Sequence, residues 1–534
     1  MKKVAFSRDG LPQSFIDRFG QHVTGFLSGF DRLRFRATLR PLFQPGGMEI
    51  YLCSCKVLIK QFGAFAKGLT EQIRQAAYAS FEQAKRPIRY LTDSSLSKEE
   101  LARRLAQEAG IQSGAICLLA CVEPCLSFHL RGDRQAKKLR VVLEHSKCTH
   151  LYHYYQHAQL GQLHVRVQTW FPFSIDVCLN GRQWLARQMD QAGIAYHQRD
   201  NCFVWIEDCH KAQELLDQQL RSNWAGLLDS LLELAHPLHR QITSRMEGLH
   251  YYWSASQSEY ATDILFDEAD HLAQLYPQFL HHAVKSFQSP DVLRFLGNRH
   301  ALQKGQVHPC FKGQVTTNLK QRPEGVRLRH SLNGNSLKIY DKEGSVLRVE
   351  TTILHPEQFK VYRPKEGDAQ GQKQWRKLRR GVADLHRRAE VSHAANERYL
   401  IALASVTGSS PLQNQAAEVC RAVCYRGRRY RGLNPLAEAD YRLLHTVSRG
   451  EFALGGLRNR DVRSLLCKPT KCPEHKRRQA ARISRQLALL RAHALLKKIP
   501  HTHRYQLTTK GRRIITALLA ACHADVEQLT KMAA

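Results

Sequence analysis

Hydrophobic and polar positions alternate in several stretches of the first 360 residues, and that period of two predicts strands. Residues 30–42, FDRLRFRATLRPL, set Leu33 and Phe35 against Arg34 and Arg36. One face of such a strand is apolar and the other carries guanidinium groups. Residues 116–130 are apolar enough for a buried strand. Further strands are predicted at 139–143, 149–155, 163–170, 174–179 and 203–206, with Gln159, Leu160 and Gly161 as the turn of a hairpin. Three more fall at 325–331, 336–340 and 346–353, the last two joined across Asp341, Lys342, Glu343 and Gly344.

Helical periodicity takes over between these runs. Ser97 with Glu100 three positions later has the spacing of a cap, opening an amphipathic helix to about residue 110. Asn180, Gly181 and Arg182 open another, and residues 211–234, 249–296 and 372–404 are predicted helical. Residues 440–529 read as a helix, a short helix, a basic helix, a two-stranded wing and a closing helix, the order of a winged helix-turn-helix. In its third helix Ile483, Leu487, Leu489 and Leu490 form a stripe that can pack, while Arg477, Arg478, Arg482 and Arg485 face outward. The fold class expected is α+β multidomain, a mixed α/β body with antiparallel strands and a C-terminal winged helix. Its expected divisions are a mixed α/β domain at 1–135, an antiparallel α+β domain at 136–245 and a helical tract with a β-hairpin and basic helix at 246–407. A linker at 408–434 and the winged helix at 435–534 complete it.

Charge narrows the choice of partner. The 534 residues carry a formal net charge of +33, far more than solubility demands, which points to a polyanion such as DNA, with structured RNA as the alternative. Residues 351–534 hold 36 Lys and Arg against 14 Asp and Glu, a net of +22, so the C-terminal third is the main electrostatic footprint. A membrane partner is not expected, since no long apolar span is present. The N-terminus lacks the apolar stretch of a secretory signal, so a cytoplasmic, nucleoid-associated location is expected. The 15 cysteines lie in apolar surroundings and read as reduced thiols.

Several residue groups suggest chemistry. Glu259 and Asp263 stand four apart, on one face if the segment is helical, with Asp267 a turn beyond. Together with Asp341 and Glu350 from the hairpin they form the candidate catalytic set Glu259, Asp263, Asp341 and Glu350 of a Mg-dependent nuclease or recombinase. Asp263, Asp341 and Glu350 are its expected metal ligands; the plain alternative is a solvated helix face. Nucleic-acid contacts are expected from Arg477, Arg478, Arg482, Arg485, Lys498, His503 and Arg504, and from the basic helix through Arg379 and Arg380. Zinc is not expected, because Cys420 with Cys424, and Cys467 with Cys472 and His475, lack the tight pairs of a structural site. No pair of histidines flanks one hydrophobic residue on a strand, which argues against a histidine-held metal beside a nucleophilic tyrosine. There is no phosphate-cradling glycine motif and no Gly-x-Ser-x-Gly elbow.

The segment SRQLALLRAHALLKKIPHTHRYQLTTKG resembles the winged-helix domains of MarR-like bacterial regulators, over roughly a sixth of the chain. The resemblance implies a DNA-docking fold and, as one alternative, a transcriptional regulator. The hairpin NSLKIYDKEGSVLRVETTI resembles the Tyr-Asp-Lys and Leu-Arg-Glu strand pairs of some plasmid and phage replication proteins, which implies a mobile-element or replication role. The segments SGFDRLRFRATLR, VQTWFPFSIDVCLNGRQWLARQ, EVSHAANERYLIAL and RGEFALGGLRNRD are similar to an uncharacterised bacterial protein family, which brings no activity with it. A non-catalytic DNA- or RNA-binding protein remains the third reading.

Overall fold

The structure is a computed structural model that describes residues 10–93, 96–133, 138–298, 301–303, 306–322, 325–365, 367–368, 371–405, 412–449, 451–452, 456–470, 472–500 and 502–523. Eleven strands form one sheet: β1 (Val23–Leu39), β2 (Ile88–Tyr90), β3 (Gly114–Asp133), β4 (Lys138–His157), β5 (Gly161–Gln168), β6 (Ile175–Asn180), β7 (Tyr251–Phe266), β8 (Val315–Arg322), β9 (Gly325–Leu332), β10 (Asn335–Lys342) and β11 (Val346–Ile353). Their spatial order is β8-β9-β10-β11-β7-β1-β6-β5-β4-β3-β2. Every neighbouring pair is antiparallel except β2 and β3.

The two long strands at the centre, β1 and β7, join two meanders. Alternation makes the two faces chemically different. Leu33, Phe35 and Ala37 of β1 share a buried cluster with Val165, Val167, Ile175 and Val177, and with Phe62, Ile73 and Phe81 of the helix Phe62–Gln83. On the other half of the sheet, Leu337, Ile339, Leu347, Val349 and Ile264 pack with Leu272 and Phe279 of the helix Ala269–Ser286 and with Tyr399 and Leu403 of the helix Leu385–Leu403. The intervening positions are left polar.

Compact division falls at residue 406, with a second unit from Thr407 onward. The three divisions expected before that point are not separate sheets, because β1 to β3, β4 to β6 and β7 to β11 all hydrogen-bond into one. The described part of the second unit has the helices Leu412–Cys420, Glu438–Val447, Asn459–Leu466, Pro473–Ala492 and Thr509–His523. A three-stranded sheet in the order Leu457–Arg458, Arg504–Leu507, Leu496–Lys498 completes it, over a core that includes Leu443, Val462, Ile483, Leu487 and Ile515. The expected linker at 408–434 instead holds a helix and the short hairpin Val423–Tyr425 with Arg428–Tyr430; residues 408–411 lie outside the described residues.

Three expected helices are corrected. Residues 249–296 open with the strand β7, and helix begins only at Ala269. In YYWSASQSEYATDILF the aromatic and β-branched side chains favour a pleated surface, and pairing on both edges settles the choice. Residues 211–234 are two helices, Cys209–Gln219 and Trp224–Ala235, the second capped by the Asn223 side chain. In 372–404 the basic run includes a short strand, Gln374–Lys377, and the helix starts at Leu385. The expected cap at Ser97 is present, its hydroxyl accepting from the Glu100 amide at 3.3 Å.

Candidate functional site

Residues directly opposite each other in antiparallel strands share a face, so the register traces one polar surface across the sheet. It runs from Arg327 and Arg329 on β9 to Lys338 and Tyr340 on β10, Arg348 and Glu350 on β11, and Glu259 and Asp263 on β7. It continues through Arg32, Arg34 and Arg36 on β1, Asp176 and Cys178 on β6, His164 and Arg166 on β5, and Tyr152 and Tyr154 on β4. Beside β1 the surface sinks into a cleft of ≈ 540 Å³, whose walls include Arg34, Arg36, Lys98, Tyr152, Arg166 and Arg380. The alternation of apolar and arginine side chains in β1 is what places Arg34 and Arg36 in the cleft and Arg32 on the same face.

At the centre of that face lies a network of buried charge. A register shift in the β1–β7 pairing falls at Asp31, between Phe30, which faces Tyr260, and Arg32, which faces Glu259. Helix Gly181–Ala192 begins against this bulge: a Cβ on Gly181 would stand 1.7 Å from the Phe30 carbonyl oxygen, so only glycine permits the approach. The next residue, Arg182, is 0% exposed and places Nη2 2.9 Å from Asp263 and Nε 3.7 Å from Asp31. Arg348 donates through Nε and Nη2 to the two oxygens of Asp263 at 2.6 and 2.8 Å, and through Nη1 to Asp31 at 3.0 Å. Asn201 also donates to Asp31 at 2.8 Å.

Alongside stands a second group. Lys338 Nζ is 2.5 Å from Glu350 and 3.4 Å from Glu259, and the Tyr340 hydroxyl donates to Glu350 Oε2 at 2.7 Å. Asp31, Glu259 and Glu350 each place a carboxylate oxygen within 4.8 Å of the others. Burial raises the carboxyl pKa of Glu259, and the neighbouring Glu350 raises it further against the pull of Lys338. Glu350 is shifted down: burial opposes its charge, but the Lys338 ammonium, the Tyr340 hydroxyl and Arg348 outweigh it. Asp263 is likewise held low by Arg182 and Arg348 against its burial. Tyr340 is pushed well above the ordinary phenol range by burial and by Glu350.

The expected catalytic residues are therefore distributed unequally. Glu259 and Glu350 meet, though Glu259 and Asp263 share a strand face and not a helix face. Asp263 sits on the same face with both oxygens taken up by arginines. Asp341 does not join them: it pairs opposite Leu347, one residue out of phase with Lys338 and Tyr340, and so points from the other face. Asp31 takes the third position. It was missed, although one signal existed: in the alternation Leu33, Phe35, Ala37 an acid occupies the apolar phase at 31, which marks a buried carboxylate.

Of the expected nucleic-acid contacts, Arg379 donates to Asp384 at 2.9 and 2.8 Å and Arg380 to Glu357 at 3.3 Å. Arg477, Arg478, Arg482 and Arg485 are exposed on the helix Pro473–Ala492, with Arg478 donating to Glu474 at 2.7 Å. Lys498 ends one strand of the small sheet, Arg504 begins the next, and His503 is exposed in the turn between them. Cys467 and Cys472 belong to no metal-ligating group among the described residues. No helix among the described residues is long and apolar enough to cross a membrane. Comparison with protein-family models, curated proteins and solved structures returns no match.

Proposed function

We propose that this chain is a nucleic-acid-processing protein that cleaves phosphodiester bonds with a divalent metal held by Asp31, Glu259 and Glu350. The observation that carries the reading is the placement of three converging carboxylates in a sheet face rich in arginine and aromatic side chains. A polyanion is attracted to such a face, and carboxylates there repel it unless a cation intervenes. In the resting arrangement that cation is the Lys338 ammonium. A Mg²⁺ bound in its place would polarise a phosphoryl oxygen and stabilise the charge that develops during displacement. Lys338, displaced from the carboxylates, would be left to pair with phosphate.

The chain's own residues hold these carboxylates in position. The Tyr340 hydroxyl donates to Glu350 and orients that carboxylate. Arg348 and Arg182 act through Asp31 and Asp263 as positioning residues, fixing Asp31 without touching substrate.

We infer that the C-terminal unit docks on duplex DNA as a winged helix. Support comes from the exposed Arg477, Arg482 and Arg485 on one side of a helix whose Ile483, Leu487 and Leu490 are buried, followed directly by the basic two-stranded turn. This unit would supply affinity and register, and the sheet face the chemistry.

The test is cleavage of labelled single-stranded and duplex oligonucleotides by the full-length chain with Mg²⁺ or with EDTA. Expected is Mg²⁺-dependent cleavage that falls at least about 100-fold in Glu259→Gln and Glu350→Gln, as loss of an electrostatic stabiliser does. Asp341→Asn, on the opposite face, keeps it. Nucleic-acid binding without cleavage under any of these conditions leaves the non-catalytic reading.

A further inference from the structure

A second cluster lies on the hairpin of β3 and β4, strands that carry none of Asp31, Glu259 and Glu350. Cys121 pairs opposite His150, Glu123 opposite Cys148 and Cys125 opposite Ser146, so Cys125, Cys148 and His150 project from one face. The Cys125 and Cys148 sulfurs are 3.3 Å apart, in contact but well beyond the roughly 2.05 Å of a disulfide. His150 is 0% exposed. Its Nδ1 donates to the Cys148 carbonyl at 3.1 Å, which fixes the tautomer and leaves the lone pair on Nε2. That Nε2 is buried with no hydrogen-bond partner.

We infer that Cys125, Cys148 and His150 bind a thiophilic divalent cation, zinc by the character of the donors. Each residue offers a ligand atom within 4.8 Å of the other two. A tetrahedral zinc with bonds of about 2.3 Å to sulfur and about 2.0 Å to nitrogen places its donors roughly 3.5 to 3.8 Å apart, so small side-chain rotations complete the site. The metal satisfies the two features that a hairpin without it leaves open, an orphan imidazole nitrogen in the interior and two thiols in contact. The Cys148 carbonyl bound to Nδ1 is the outer support that zinc-bound histidines normally have. A disulfide would use the sulfurs but leave Nε2 without a partner. Three protein ligands leave the fourth position to water, and Cys125 is only half-buried, so solvent reaches it. Sequence spacing gives little sign of the site because its ligands come from two strands, with 22 residues between the cysteines.

Cobalt substitution tests this in the full-length chain. After metal removal under reducing conditions, Co²⁺ is titrated in and the thiolate-to-cobalt absorption followed. Expected is one equivalent carrying that absorption, displaced by Zn²⁺, lost in Cys125→Ser and in Cys148→Ser, and weakened at least about tenfold in affinity in His150→Gln. Cys125→Ser alters a half-buried thiol, so it keeps the test decisive if Cys148→Ser fails to fold. The inference is overturned if the folded wild-type chain gives no such absorption or if Cys125→Ser leaves it unchanged. It is equally overturned if thiol titration finds two thiols missing until a reductant is added, which would make the pair a disulfide.

Discussion

Arg348 touches two carboxylates and a backbone carbonyl while 1% exposed, and it fixes the residue-scale energetics of the site. Removing a buried partner leaves charge without compensation, so Arg348→Ala is expected to destabilise the chain by about 3 to 5 kcal/mol in denaturant unfolding. Arg348→Lys should recover only part of that loss, because an ammonium cannot donate in parallel to both Asp263 oxygens. Asp341 behaves in the opposite sense. Burial raises its carboxyl to about 6, with Glu343 adding to the effect, and its Oδ1 is buried without a partner. A folded-state value above the unfolded value of about 3.9 means that the favourable contribution is complete below pH ~4 and is lost as pH rises through 6. Asp341→Asn should therefore flatten the decline in Tm between pH 4 and 7; an unchanged decline would place its origin elsewhere. Glu259 and Glu350 were legible in the sequence as scarce acids in a basic chain. Asp31 was not, because its importance depends on a bulge that brings residues 31, 259 and 350 together across three strands.

At the scale of elements, the close start of helix Gly181–Ala192 on β1 is the most sensitive joint. Gly181→Ala would press a methyl group into the Phe30 carbonyl, push the helix outward and draw Arg182 off Asp31 and Asp263. We expect a Tm decrease of more than about 5 °C, compared with near-neutral behaviour for Gly68→Ala in the helix Phe62–Gln83, where a Cβ meets nothing within 4 Å. Sequence patterning was reliable where one face of an element is apolar, as in Leu33, Phe35 and Ala37, or where a cap residue marks a helix start, as at Ser97 and Asn180. It failed at 251–266, where β7 is paired on both edges and buried through Tyr260–Phe266, so that no clean alternation survives. Strand pairing between residues more than 200 apart, as Leu39 with Tyr251 and Val23 with Phe266 in β1 and β7, leaves no local trace.

At the scale of the molecule, the excess of +33 is what the proposed reading uses to bring the chain to nucleic acid. If the exposed arginines of Pro473–Ala492 neutralise phosphates, log K for duplex DNA falls linearly with log salt. The double variant Arg482→Glu with Arg485→Glu should then weaken binding and reduce that slope by about 2, while leaving metal-dependent cleavage of saturating single strands intact. A variant that loses cleavage of single strands as well would break the division of labour between the two units. The compact division falls between residues 406 and 407, and before it no separate sheets mark the divisions expected at 135 and 245, since a single sheet gathers strands from 23 to 353.

The measurement that bears most directly on the central claim is Mn²⁺ binding to the full-length chain, followed by electron paramagnetic resonance. The account predicts one Mn²⁺ per chain bound at submillimolar concentration, lost in Glu350→Gln and in Glu259→Gln and strengthened in Lys338→Met, which vacates the cation position between those carboxylates. A folded chain that takes up no Mn²⁺, with Lys338→Met no different, would make Asp31, Glu259 and Glu350 members of a structural ion network and contradict the account.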